Sequence, residues 1–355
     1  MRKYYRRVLF TKTPLKRSFR YRDKFQILPL NSERAPKSPF TKHFPLFLEY
    51  YLDIEDKNIS KSRVDNYLTD LSFQHEMEFE IMNLLSVFSN HRFFKYNLDR
   101  NIWGKPTPSK KFKDLSSDEK DKFSNNSSSW IICGYLYPDL KKDLEIKAIS
   151  EFDTAEIEFI SPYYEYFTRD PVENDKLEIK FPETINHCLD NYYSLSSKTL
   201  KKIKSSIALI CDGIDIVDYK RSLGFLSFVS AIEAFVSLEI SDKNIDFNCK
   251  NCNSIKDSPY RCPKCDRPIW GIKAKFKEFL SKFVAGSDDS VAKYNKIYNL
   301  RSKITHQGQL FISDYELSLE NMDKKETDWL MRMETLQLAR ISLTNWLIYE
   351  KKTSR

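Results

Sequence analysis

Glycine is scarce, with seven in 355 residues. Glycine-rich phosphate loops and dinucleotide-binding turns need residues that take positive φ, so both are disfavoured, and neither fingerprint occurs. No apolar run approaches the roughly 18–20 residues of a membrane helix. The opening MRKYYRRVLFTKTPLKR is basic, yet it lacks the apolar stretch and small-residue cleavage site of a signal peptide. These absences lead to the expectation of a cytoplasmic protein with no membrane partner. Also missing are a GxSxG nucleophile elbow, an HExxH zinc motif and a supported Cys/His pair. His43, His75, His91 and His187 show no ligand-like spacing and read as structural or exposed.

Hydrophobic residues make up 41% of the chain, with 25 Phe and 20 Tyr among them, enough for a sizeable core. The formal net charge is +8, a mild excess that admits a nucleic-acid partner without demanding one. Between Arg2 and Lys24 stand ten Lys or Arg and the single acid Asp23. Residues 1–45 therefore read as a basic, Pro-punctuated arm, either contacting phosphates or simply solvated.

Residues 46–184 read as a mixed α/β region, helical over 46–100. HEMEFEIMNLLSVFSNHRFF has Ile81, Leu84, Leu85 and Phe88 at helical spacing. Residues 104–129 are Ser/Lys-rich and read as an exposed loop. The segments WIICGYLY, LEIKAI, IEFI and KLEIKF suggest a small sheet over 130–182.

From 185 to 355 the pattern is helical and predicts a bundle. Helices are expected over 191–212 and 221–240. Another is expected in GIKAKFKEFLSKFV, with Ile272, Phe276, Phe279, Leu280 and Phe283 on one face. SDDSVAKYNKIYNLRSKITHQG opens on capping residues and stops at Gly308. A last helix near 324–350 carries Trp329, Leu336 and Leu343 seven apart, with Met333 and Leu347 alongside.

Inserted at 245–270 is C-x2-C, nine residues, then C-x2-C: Cys249, Cys252, Cys262 and Cys265. A two-residue gap points both thiolates of a knuckle at one ion. Two knuckles close a tetrahedral shell, so the expectation is one structural zinc ion. The segment is too short for its own core, and the metal would supply its folding energy. Such a ribbon either touches nucleic acid or a partner, or staples a loop between two helices. Cys133, Cys188 and Cys211 stand apart among apolar neighbours and read as buried thiols.

Three further residues suggest chemistry. Arg301 and His306 lie five apart, roughly 140° around an ideal helix. Histidine moves protons near neutrality, and arginine forks onto phosphate oxygens. An Arg and a His at a helix end also serve as ordinary surface or capping groups. Glu233 is the only charged residue between Arg221 and Glu239, within LGFLSFVSAIEAFVSL. A carboxylate in such company needs a partner, and Arg301 is the obvious one. The alternative is an exposed Glu on the polar edge of its helix.

SFVSAIEAFVSLE followed by IYNLRSKITHQG resembles the Apea-like branch of the HEPN domains, over roughly residues 185–350. The resemblance implies a dimerising helical bundle and, in many members, a metal-independent ribonuclease built on an Arg and a His four to six residues apart. On this chain the motif falls on Arg301, Ser302 and His306, with Glu233 matching the acid of the first segment. The zinc-ribbon insertion departs from the minimal domain without touching the motif. The implied function is an endoribonuclease acting on RNA as a homodimer, in a toxin–antitoxin or phage-defence setting, with an unidentified partner restraining or activating it. The competing expectations are a non-catalytic nucleic-acid sensor using the arm and ribbon, and a protein-interaction partner of a toxin.

Overall fold

The computed structural model describes residues 2–30, 43–53, 63–95, 114–119, 130–132, 135–137, 144–168, 176–240, 247–248, 255–256, 271–316, 318 and 320–353. The chain is mainly α-helical with a small antiparallel sheet near its N-terminus. It divides into two compact units, residues 1–160 with 170–182, and residues 161–169 with 183–355.

In the first unit, β1 (Arg2–Thr11), β2 (Phe19–Tyr21), β3 (Phe25–Pro29) and β4 (Phe44–Asp53) form one sheet in the order β1-β4-β3-β2. This corrects two expectations. The described part of residues 1–45 is mostly strand rather than a free arm, and the segment from Phe44 to Asp53 is a strand rather than helix. Successive side chains alternate between faces. One face carries Leu9, Leu46, Leu48, Ile27 and Phe19, all fully buried. The helix α1 (Arg63–Val87) joins this face: Glu78 accepts from the Tyr50 hydroxyl at 2.9 Å and pairs with Arg7 at 2.8 Å. Ile81, Leu84, Leu85 and Phe88 are buried, as their spacing requires. On the other face Val8, Phe10, Leu28, Leu30 and Phe47 cluster with Phe94, Leu144 and Phe152.

The opposite-face register also aligns Arg6, Glu49, Gln26 and Arg20 in a single row across all four strands. Glu49 is fully buried and both of its oxygens are used. Arg6 donates at 2.7 Å, Gln26 at 2.8 Å, and Ser150 through both its backbone N–H and its hydroxyl at 2.8 Å. The Ser150 carbonyl in turn accepts from Arg20 at 2.7 Å and from Gln26 at 2.9 Å. Buried charge is tolerated here because every partner is supplied.

Among the described residues of 130–182 there are two small pairs in place of one sheet. They are antiparallel β5 (Trp130–Ile132) with β6 (Tyr135–Tyr137), and parallel β7 (Phe159–Ile160) with β8 (Phe181–Pro182). Residues 144–149 form no strand. Most of 104–129 lies outside the described residues.

The second unit contains α2 (Tyr163–Thr168), α3 (Ile185–Tyr193), α4 (Ser197–Ile216), α5 (Arg221–Ile240), α6 (Ile272–Phe283), α7 (Asp288–Gln307) and α8 (Met322–Thr353). The expected helix over 191–212 is broken: Ser196 caps α4 by accepting from the Thr199 N–H, and α3 ends at Tyr193. The bounds of α5 match the expectation. It packs against α4, α6, α7 and α8, so it is apolar almost all round. By length and composition α5 would also span a membrane, a qualification to the expectation of no such run; half of its apolar window is buried inside the unit. α4 and α5 approach closely where glycines allow it. A Cβ on Gly213 would lie 2.5 Å from the Phe228 ring, and one on Gly224 2.9 Å from the Val217 backbone.

α6 buries Phe276, Phe279, Leu280 and Phe283, but Ile272, expected on that face, is 61% exposed. In α8 Leu336, Leu343 and Leu347 are buried, whereas Trp329, their supposed companion, is 43% exposed.

Candidate functional site

α7 is set by its ends. The Ser287 side chain accepts from the Ser290 N–H, and Asp288 and Asp289 sit in the first turn, where the helix dipole favours negative charge. At the other end Gly308 takes the left-handed conformation, with φ 65°, and its N–H donates to the Lys303 carbonyl. The chain beyond is pinned to the start of α5. Asp314 accepts from the backbone N–H groups of Arg221 and Ser222 at 2.7 and 2.8 Å, and the Phe311 N–H donates to the Ser222 hydroxyl at 2.8 Å. The Arg332 guanidinium joins this end of the bundle, donating to the Val217 carbonyl at 3.2 Å.

Between α5 and α7, Arg301 Nη2 donates to Glu233 Oε2 at 3.2 Å. The side chains are 23% and 18% exposed, so the pair sits at the edge of the bundle. Glu233 Oε1 is buried and accepts no hydrogen bond from the described residues. Among the described residues Arg301 has no second hydrogen-bond partner, which leaves most of its five donors unclaimed there.

Tyr298, one turn before Arg301, completes the cluster. Its ring lies under the guanidinium, with Cζ 5.8 Å from the centroid, and tilts against Phe276 at 5.4 Å. Burial first, and then the Glu233 charge beside it, hold its phenol above the ordinary value. Sequence reasoning missed this residue, although its position three before Arg301 on a helix was a usable signal.

Among the sequence-derived residues, Arg301 and Glu233 are brought together. Ser302 is half-buried next door, and its hydroxyl makes no hydrogen bond to either. His306 is exposed in the last turn and forms no hydrogen bond or ion pair with the described residues. Ideal helix geometry sets it about 7.5 Å along the axis from Arg301 and roughly 140° around it. Within one chain, then, His306 is not part of the cluster.

Cys249, Cys252, Cys262 and Cys265 lie outside the described residues. On either side of the first knuckle in sequence, β9 (Phe247–Asn248) pairs antiparallel with β10 (Ile255–Lys256). Among the described residues no group of His, Cys, Asp and Glu is arranged to hold a metal. Cys188 and Cys211 are buried thiols outside any disulfide, and burial pushes the Cys188 thiol up to about 12. Cys133 is outside the described residues.

Part of the charge of the supposed phosphate-binding arm is matched by carboxylates elsewhere in the same unit. Arg2 pairs with Asp53 at 3.0 Å, Arg6 hydrogen-bonds Glu49, and Arg7 pairs with Glu78.

Comparison with protein-family models, curated proteins and solved structures yields no match.

Proposed function

We propose that this chain is a metal-independent endoribonuclease of the HEPN type, cytoplasmic and active as a homodimer. The observation that carries the reading is the half-open Arg301–Glu233 pair. Glu233 takes one donor of the part-exposed guanidinium and leaves the others for phosphate oxygens. Tyr298 backs the guanidinium and limits its movement.

In this reading Arg301 holds the scissile phosphate and stabilises the charge that builds on its oxygens. His306 takes the proton from the ribose 2′-hydroxyl or supplies one to the 5′-oxygen. The 2′-oxygen bonds to phosphorus as the bond to the 5′-oxygen breaks. The products are a 2′,3′-cyclic phosphate and a 5′-hydroxyl end. Ser302 adds a hydrogen bond to the bound phosphate. Because His306 stands well around the helix from Arg301, the composite site needs a second copy, each protomer contributing groups to a shared cleft.

Cys249, Cys252, Cys262 and Cys265 would hold one zinc ion with a closed thiolate shell, leaving no place for an activated water. The pairing of β9 with β10, on either side of the first knuckle in sequence, is compatible with that role. Service as a toxin or a phage-defence effector, under the control of an inhibitory or activating partner, goes with the resemblance of the two helical segments.

The separation of His306 from Arg301 favours a second reading, a non-catalytic RNA sensor in which Arg301 merely binds phosphate. Cleavage of total cellular RNA by purified protein in EDTA, beside His306→Ala, separates the two. Cleavage by the wild type alone supports the ribonuclease. Binding that survives the substitution, with cleavage by neither protein, supports the sensor. Equal cleavage by both sinks the assignment of His306.

A further inference from the structure

No Asp or Glu occurs between Asp289 and Asp314, a stretch that covers nearly all of α7. Lys296, Asn299, Lys303 and His306 are exposed and follow one another at spacings of three, four and three, within roughly 80° of helix arc and about 15 Å of length. Neither Lys296 nor Lys303 has an ion pair or side-chain hydrogen bond with the described residues. Lys273, in the first turn of α6, reaches over to this stripe and donates to Asn299 Oδ1 at 2.7 Å. By contrast Lys293, on the same helix, is matched by Glu334 at 2.9 Å.

The helix dipole accounts for Lys303 and His306, which lie toward the C-terminal end of α7. It does not account for Lys273. That residue stands at the positive end of α6, whose first turn holds no acid. Through Asn299, Lys273 adds a third lysine to the stripe, which suits a polyanion. Arg301 lies about 140–160° around α7 from Lys296, Asn299, Lys303 and His306, on the opposite face, so within one chain the stripe leads to His306 and not to Arg301.

We infer that Lys273, Lys296 and Lys303 form a track for the sugar–phosphate backbone of a single-stranded RNA, leading to His306. The inference rests on the ribonuclease reading for the purpose of the track and adds where the strand lies. Lysine serves as a point charge here, so the track grips phosphates and is indifferent to base sequence. Asn299 adds a neutral hydrogen-bonding group between the two lysine turns.

The test uses the full chain carrying His306→Ala, so that binding is read without cleavage, and a fluorescein-labelled single-stranded RNA titrated across a salt series. Each lysine–phosphate contact contributes about 0.7 to the slope of log K against log salt. Lys296→Ala with Lys303→Ala should lower that slope by about 1.4 and weaken binding several-fold at low salt. Lys293→Ala, which removes a charge already paired, should leave the slope as it was. An unchanged slope and affinity in the double variant overturns the track. Absent RNA binding, with lysine-dependent capture on vesicles of anionic phospholipid, overturns it in favour of a membrane surface. The same double substitution with His306 intact separates this from the catalytic reading. Lysine-dependent binding without cleavage by any protein leaves the track and removes the ribonuclease. Undiminished cleavage with an unchanged slope does the reverse.

Discussion

The two units each place an arginine against a glutamate, and they use the pair in opposite ways. In the sheet, Glu49 is fully buried and receives hydrogen bonds from Arg6, Gln26 and Ser150 on both oxygens. In the bundle, Glu233 receives one from Arg301 at 3.2 Å, and among the described residues its second oxygen receives none. A closed network has no capacity left for a ligand and can act only on the fold. An open pair at the bundle edge contributes little to stability and keeps donors for something else. Arginine and glutamate in contact are therefore uninformative by themselves; what counts is how many of their hydrogen-bonding positions the chain has already filled.

The largest expected effect lies on the closed side. Glu49→Ala strands Arg6 and leaves Gln26 and the Ser150 groups without their acceptor, and removing one partner of a buried pair costs about 3–5 kcal/mol. Urea unfolding of the full chain, followed by circular dichroism, should show the sheet-bearing unit losing stability by that order. A loss under about 1 kcal/mol would mean the row is as dispensable as a surface pair and would erase the contrast.

A smaller effect sharpens the contrast within the bundle itself, whose interior is closed even though its edge is open. Burial raises the Cys188 thiol from 9.0 to about 12. The folded state therefore favours the protonated thiol. The associated stability is present below about pH 9 and is lost as pH rises toward about 12. At pH 8 the folded chain should leave Cys188 unalkylated by iodoacetamide, as mapped by mass spectrometry, while urea exposes it. Rapid alkylation without urea would show that this part of the bundle opens.

Much of the bundle was legible in sequence because its signals are local. The Ser287 cap, the Gly308 stop and the apolar run of α5 each depend on neighbours in the chain. The Arg301–Glu233 pair was legible for a different reason, since a lone carboxylate in an apolar helix demands a partner. The sheet was not legible. Its polar row puts Arg6, Gln26, Glu49 and Arg20 on a face that also carries Val8, Leu28 and Phe47, so apolar and polar residues do not alternate cleanly. Ser150, which completes the row, is 101 residues from Glu49, beyond any local pattern. β4 reads FPLFLEYYLD, and an apolar run of that kind does not separate strand from helix by periodicity. Tyr298 was passed over because an aromatic residue beside Ile297 looks like ordinary core.

The most direct test of the central contrast is Glu233→Ala, with its urea unfolding and its RNA cleavage measured on the same preparation. Arg301 is part-exposed and can be rehydrated, so the account predicts a stability change within about 1 kcal/mol. Cleavage should fall at least tenfold, because the guanidinium loses the group that orients it. A variant that is folded and cleaves RNA at the wild-type rate would contradict the account, as would one that unfolds as readily as Glu49→Ala.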